Sequence, residues 1–179
     1  MRKKVLIIST SPRKGGNSDA LADAFAKGAA EAGHDAEKIC LYGKTVHFCK
    51  GCLACQQTQR CVIRDDADAI VQKMKTADII AFATPIYYYE MCGQMKTLLD
   101  RSNPLFPSDY AFRDIYLLAS AADDEKSAMD GALKGLQGWV DCFGKAQLKG
   151  AVCAGGVAGI GAIQGHPALE EAYQAGRSL

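Results

Sequence analysis

Four cysteines between residues 49 and 61 are the side chains of this sequence best suited to chemistry. Cys49, Cys52, Cys55 and Cys61 form the pattern C-x2-C-x2-C-x5-C. Thiols so spaced can pair as disulfides, bind zinc, ligate an iron–sulfur cluster, or serve only as small apolar side chains. The rest of the chain narrows these four alternatives.

Length, composition and charge argue against a protein stapled by disulfides. The chain has 179 residues, 49% hydrophobic and 23% charged, with a net charge of +1. A chain of this length buries roughly 70% of its unfolded surface and needs no disulfides. The apolar run Val5–Ile8 is too short for a signal peptide, and no segment could span a membrane, so we expect a cytoplasmic protein with reduced thiols. The sequence has no basic run of the kind that indicates a nucleic-acid partner.

The tight spacing of the four cysteines favours an iron–sulfur cluster over zinc. Structural zinc usually takes two C-x2-C pairs that lie far apart in sequence, whereas three closely spaced thiols plus one nearby suit the corners of a [4Fe–4S] cubane. Gly51 and Ala54 are small enough to let the backbone fold around a cluster and donate N–H groups to its sulfurs. Zinc and a metal-free loop stay open as alternatives. The remaining cysteines are expected to be buried apolar side chains: Cys40, Cys92, Cys142 and Cys153.

Short apolar runs alternate with helical patterns along the chain, which is typical of β-α-β units with a parallel sheet. Five strands are predicted, at Val5–Ser9, Ala36–Tyr42, Asp78–Ala83, Asp114–Ala119 and Lys149–Ala154. Five helices are predicted, at Ser18–Ala32, Asp68–Lys75, Gly93–Arg101, Ser127–Cys142 and Pro167–Gly176. The sequence therefore predicts one doubly wound, three-layer α/β domain over residues 1–179, with a cysteine-rich loop at 47–62.

The loop after the first strand carries the groups of an anion site. Ligands of doubly wound sheets bind beyond the carboxyl ends of the strands, and Ser9–Ser18 places hydroxyls, an arginine and two glycines just before a helix. Hydroxyl and backbone N–H donors at the positive end of a helix suit a phosphate, and Arg13 can add a bidentate contact. Neither the Walker pattern nor G-x-G-x-x-G is present. The alternative is an ordinary turn in which Asn17 or Ser18 only caps the helix.

Three consecutive tyrosines, Tyr87–Tyr89, follow the third strand. Neighbouring side chains on a strand point in different directions, so the three cannot all lie in the core. Beside an anion site their rings suit a flat heteroaromatic ligand. The alternative is that Tyr87 and Tyr89 pack beneath a neighbouring helix.

Three motifs resemble those of the flavodoxin-like NADPH-dependent FMN reductases. They are S-x-R-x-x-G-N-S at Ser11–Ser18, T-P-I-Y at Thr84–Tyr87 and G-Q-M-K-x-x-L-D-R at Gly93–Arg101. With its four cysteines after the second strand, the chain more specifically resembles the iron–sulfur flavoproteins of anaerobic microbes, whose compact motif is C-x2-C-x2-C-x(4–7)-C. The resemblance runs from Lys4 to Gly176 and implies a flavodoxin-like sheet of five parallel strands in the order 2-1-3-4-5.

For ligands, the resemblance implies an FMN site and a [4Fe–4S] cluster. The phosphate should contact the loop after the first strand, and the ring should lie between the turns after the third and fourth strands. The implied FMN-binding residues are Ser9, Ser11, Arg13, Asn17, Ser18, Thr84, Pro85, Ile86, Tyr87, Tyr88 and Ser120. The implied cluster ligands are Cys49, Cys52, Cys55 and Cys61. No residue stands out as an acid or base, and Tyr87 and Tyr88 are candidates for shaping the acceptor pocket.

Together the two cofactors indicate an electron-transferring enzyme. A cluster moves one electron and FMN one or two, so the pair can couple a ferredoxin-type donor to a small acceptor such as a quinone, oxygen or peroxide. One alternative is a cluster-free NAD(P)H-dependent FMN or quinone reductase. Another is a non-enzymatic flavodoxin-like carrier or thiol redox sensor, although flavodoxins are usually acidic and this chain is neutral. The resemblance also implies a homodimer or higher homo-oligomer.

Overall fold

A computed structural model describes residues 1–179 and contains one mainly parallel sheet. Its strands, in chain order, are β1 (Lys4–Ser9), β2 (Asp35–Cys40), β3 (Ile79–Tyr87), β4 (Glu90–Met91), β5 (Asp114–Ser120) and β6 (Gln147–Ala154). The five long strands are parallel and lie in the order β2-β1-β3-β5-β6. This is the flavodoxin-like order that the resemblance implied, which is thereby confirmed. The addition is β4, two residues that pair antiparallel with the end of β3.

Helices cover both faces of the sheet. They are α1 (Asn17–Glu31), α2 (Ala54–Thr58), α3 (Asp66–Thr76), α4 (Gly93–Arg101), α5 (Asp130–Val140) and α6 (Pro167–Arg177), with short 3-10 turns at Asn103–Leu105 and Lys126–Met129. None of them is both long and apolar enough to cross a membrane. The predicted helix at Ser127–Cys142 is found in part, since its first turn is 3-10 and α5 begins only at Asp130.

Two hydrophobic cores lie on opposite faces of the sheet because successive strand residues point to opposite sides. In β1, Val5 and Ile7 pack with α1 and α6, whereas Leu6 and Ile8 pack with α3, α4 and α5. Both faces are therefore buried, which explains the continuous apolar run of this strand. On the first face α1 and α6 cross closely at Gly28, where a Cβ atom would collide with the carbonyl oxygen of Tyr173.

Candidate functional site

The first candidate site is a cavity of about 290 Å³ at the carboxyl edge of the sheet. The loops after β1, β5 and β6, together with the ends of β3 and β5, form its walls. Eight of the eleven residues expected to bind FMN line it: Ser11, Arg13, Asn17, Ser18, Pro85, Ile86, Tyr87 and Ser120. The other three lie outside its walls: Ser9, Thr84 and Tyr88.

One end of this cavity carries free hydrogen-bonding groups. Helix α1 begins here, and its N-cap residue, Gly16, provides no side-chain cap. Ser18 Oγ is buried and has no hydrogen-bond partner. Neither Asn17 nor Ser18 caps the helix with its side chain, so the capping role considered for them is wrong. A buried hydroxyl without a partner, beside the uncapped positive end of a helix, fits a phosphate group.

The amide of Asn17 binds the segment after β6, a wall of the cavity that was not predicted from the sequence. Its Nδ2 donates to the carbonyl oxygens of Val157 (3.0 Å) and Gly159 (2.8 Å), and its Oδ1 accepts from the N–H of Ile163 (3.4 Å). Arg13 Nη1 also donates to the Ala158 carbonyl, at 3.4 Å. The segment after β6 thus closes the site. Two features of the sequence could have indicated this segment: its place at the carboxyl edge and the glycine-rich run GGVAGIG.

Ser9 and Thr84 are buried outside the walls of the cavity. Thr84 Oγ1 accepts from the N–H of Cys92 at 3.1 Å and donates to the Pro85 carbonyl at 3.0 Å. The Ser9 hydroxyl bonds to Asp19. Burial alone would raise the pKa of Asp19, but hydrogen bonds from Ser9 and Lys38 outweigh it and lower the pKa.

The tyrosines form the tip of a hairpin beside the cavity. Tyr87 pairs with Glu90, which leaves Tyr88 and Tyr89 as a two-residue turn, with φ angles of 51° and 64°. Such turns need positive φ at both positions and normally contain Asn or Gly, so two tyrosines here are strained. Tyr88 is fully exposed. Strain of this kind is typical of functional segments.

Contacts from the β5 side hold this hairpin in place. Tyr89 Oη donates to Asp123 Oδ2 at 3.1 Å, and this hydrogen bond raises the pKa of Tyr89. Gly131 in α5 lies so close to the Tyr89 carbonyl oxygen that a Cβ atom would collide with it. The glycine that weakens the helical pattern therefore permits a close approach of helix and hairpin.

The second candidate site is a cavity of about 420 Å³ formed by the cysteine loop and the end of α4. Cys49, Cys52, Cys55 and Cys61 all line it. Its other walls include the aromatic residues Phe106, Trp139 and Phe143. The structure therefore places the four predicted ligands around one cavity.

The cysteine loop turns through three residues in the left-handed region: Gly51 (φ 64°), Leu53 (57°) and Gln59 (53°). The N–H of Gly51 donates to Cys49 Sγ at 3.4 Å, as expected for a small residue between two thiols. Leu53 and Gln59 flank α2, which carries the buried Cys55. This winding brings the four cysteines to one side of the loop.

Arg101, at the end of α4, joins both ends of the cysteine loop. Its Nη1 donates to the His47 carbonyl and to Asp65 Oδ2, both at 2.7 Å. Its Nη2 donates to the Ile63 carbonyl at 3.1 Å and to Asp65 Oδ1 at 2.9 Å. The Arg101 and Asp65 side chains are 0% and 3% exposed. The loop therefore closes on a buried ion pair that is almost fully hydrogen-bonded.

The protonation of this pair follows from its contacts. Burial alone would raise the pKa of Asp65, but hydrogen bonds from Arg101 and from the N–H groups of His47 and Ala67 lower it. Burial opposes the charge of Arg101 too, yet interactions with Asp65 and Cys61 raise its pKa. Arg101 Nε has no hydrogen-bond acceptor.

The cysteine cavity fits the donor set of a cluster. No three His, Cys, Asp or Glu side chains converge closely enough to hold a single metal ion. A [4Fe–4S] cubane instead takes its thiolates at four separate corners, so its ligands surround a volume rather than a point. Four thiols around one cavity, with N–H donors beside them, meet that requirement.

The other four cysteines differ from the expectation of uniform burial. Cys92 is buried, as predicted, but Cys142 is exposed and lines the cysteine cavity. Cys40 and Cys153 are half-buried, and burial is the largest cause of the raised pKa of each thiol. The prediction is wrong for Cys142 because it follows the last turn of α5, where the helix meets solvent.

Comparison with known proteins gives consistent matches. A profile of the family described as NADPH-dependent FMN reductase matches residues 3–179. An iron–sulfur flavoprotein from Methanosarcina thermophila is 30% identical over 169 residues, covering 94% of this chain and 85% of that protein. Another, from Methanocaldococcus jannaschii, is 42% identical over 102 residues, 57% of this chain and 53% of that protein. The chain thus spans about half the length of this second relative.

Among solved structures, the fold is similar to that of an NAD(P)H:quinone oxidoreductase from Methanothermobacter marburgensis. The TM-score is 0.71, with 19% identity and coverage of 99% of this chain and 97% of that chain. At this identity the likeness concerns the fold alone.

Proposed function

This chain belongs to the NADPH-dependent FMN reductase family, and we propose that it acts there as an iron–sulfur flavoprotein, carrying electrons from a ferredoxin-type donor to a small acceptor such as a quinone, oxygen or peroxide. Family membership makes it a flavin-dependent oxidoreductase rather than a non-enzymatic carrier. Its proposed cofactors are FMN and one [4Fe–4S] cluster, which together supply one-electron and two-electron transfer.

One observation carries the cluster half of this proposal: Cys49, Cys52, Cys55 and Cys61 surround a single cavity. These four would hold the cluster. The buried Arg101–Asp65 pair would fix both ends of their loop, and the aromatic walls would limit access of water. The relation to an iron–sulfur flavoprotein over most of both chains supports the same assignment.

The FMN half rests on the cavity at the carboxyl edge. Ser18 Oγ and the N–H groups at the start of α1 would bind the phosphate, with Arg13 adding positive charge. Asn17 would act through the loop after β6, which it holds with both ends of its amide. Pro85, Ile86, Tyr87 and Ser120 would line the remainder of the flavin site.

The exposed hairpin supports two further parts of the proposal. Tyr87 lines the flavin cavity and the fully exposed Tyr88 stands beside it. We assign both to the acceptor pocket. A fully exposed aromatic ring on a strained turn also suits a subunit contact, so we expect a homodimer, which light scattering of the purified protein tests.

The second candidate is a cluster-free reductase in which NAD(P)H delivers hydride to FMN. The description of the matched family as NADPH-dependent favours it. In that case the cysteine cavity would have no part in turnover, and the flavin cavity would accept both the nicotinamide and the acceptor in turn.

The rate of flavin reduction tests these two candidates against each other. Anaerobically purified protein is mixed either with a reduced ferredoxin-type donor or with NADPH, and the loss of flavin absorbance is followed. The iron–sulfur proposal expects rapid reduction by the first donor, lost in Cys61→Ser with FMN retained. Rapid reduction by NADPH that Cys61→Ser leaves unchanged would contradict it and favour the reductase.

A further inference from the structure

One side chain just after the end of α4 reaches a thiol of the cysteine cavity. Asn103 Nδ2 donates a hydrogen bond to Cys55 Sγ at 3.2 Å. A side-chain N–H donor from outside the cysteine loop thus reaches one of the four thiols.

The local fold does not require the amide of Asn103. The 3-10 turn Asn103–Leu105 is held by backbone bonds, from the N–H of Leu105 to the Ser102 carbonyl (2.9 Å) and from the N–H of Phe106 to the Asn103 carbonyl (3.1 Å). No side chain caps this turn. The contact with Cys55 Sγ is the one hydrogen bond of the Asn103 side chain.

Hydrogen bonds to sulfur have a defined effect on an iron–sulfur cluster. Reduction adds negative charge, which spreads onto the ligand sulfurs, so an N–H donor stabilises the reduced state more than the oxidised state. Such donors are among the features that set cluster potentials, and partners of ligands also affect metal retention. Removing a donor therefore shifts the potential to a more negative value.

We propose that Asn103 is a positioning residue that orients the Cys55 sulfur and raises the reduction potential of the cluster. This inference rests on the proposed function, because it requires the cluster. Its chemistry concerns only groups of this chain: an amide that acts on one thiolate.

Redox titration of the full-length, anaerobically reconstituted protein, followed by electron paramagnetic resonance, tests the proposal. Asn103→Leu removes the donor at nearly constant size, and Asn103→Asp replaces it with a negatively charged acceptor. The matched control is Gln57→Leu, which replaces an exposed amide of α2. We expect a lower potential in Asn103→Leu, a still lower one in Asn103→Asp, and no shift in Gln57→Leu. Iron affinity should fall about tenfold or more in the Asn103 variants.

The outcomes separate this proposal from the one on which it rests. Wild-type protein that holds FMN but neither iron nor sulfide would contradict the proposed function and this inference with it. A wild-type cluster whose potential is unchanged in Asn103→Leu would overturn the inference alone. Loss of iron from Asn103→Leu, with FMN retained and Gln57→Leu intact, would support the orienting role.

Discussion

Replacing Arg101 by methionine should remove much of the stability of the metal-free protein. The substitution deletes four hydrogen bonds and leaves the Asp65 carboxylate, 3% exposed, without its counter-charge. Breaking a buried pair by removing one partner costs about 3–5 kcal/mol, against a total stability of about 5–15 kcal/mol. With a urea slope near 2 kcal/mol per molar, the unfolding midpoint should fall by about 2 M.

The assay is urea unfolding followed by circular dichroism, with reductant and chelator present so that no bound metal contributes. Lys96→Met is the matched control, because Lys96 and Asp100 form an exposed ion pair on the same helix, at 2.7 Å. Its cost should stay below about 1 kcal/mol. Adding Asp65→Asn to Arg101→Met should recover part of the loss, since the buried charge is then gone. A cost for Arg101→Met as small as that for Lys96→Met would refute the reasoning.

Three further predictions concern single side chains. Ser18→Ala should weaken FMN binding about tenfold or more without lowering the stability of the flavin-free protein, because the hydroxyl has no internal partner; an unchanged Kd in a fluorescence titration would contradict this. Tyr88→Gly should raise the free energy of unfolding by about 1 kcal/mol through relief of its positive φ, while quinone turnover falls; equal or lower stability in urea counts against strain. Asp65 has a pKa lowered below 3.8, so its stabilisation is present above that pH and is lost as the pH falls further. In a plot of unfolding free energy against pH, Asp65→Asn should flatten the decline at acid pH. An unaltered decline would show that other carboxyl groups cause it.

The sheet order and most elements could be predicted because they depend on local patterns. Helix α4 has the predicted bounds, Gly93–Arg101, and β1 differs from its prediction by one residue. Strand β4 was missed because it has two residues, and because its Tyr-Tyr turn lacks the Asn or Gly that marks such hairpins. Helix α2 was missed because it is a five-residue helix between two left-handed residues.

Site residues could be predicted where their place at the end of a strand puts them in the site. They could not be predicted where the site depends on contacts between side chains far apart in sequence. The rule that ligands bind beyond the carboxyl ends of the strands located the loop that contains Ser18. It could not show that Asn17 bonds to Val157, which is 140 residues away. The buried pairing of Arg101 with Asp65, 36 residues away, was equally hidden, although Arg101 closes a recognisable motif. Side-chain partners far apart in sequence leave no periodic signal.

Cofactor content per chain tests the central claim most directly. The protein is purified without oxygen, and FMN, iron and acid-labile sulfide are measured on the same sample. The account predicts one FMN with about four irons and four sulfides per chain, and loss of the iron and sulfide, but not of FMN, when Cys49, Cys52, Cys55 and Cys61 are all changed to serine. Protein that carries FMN with neither iron nor sulfide, before and after reconstitution, would contradict it.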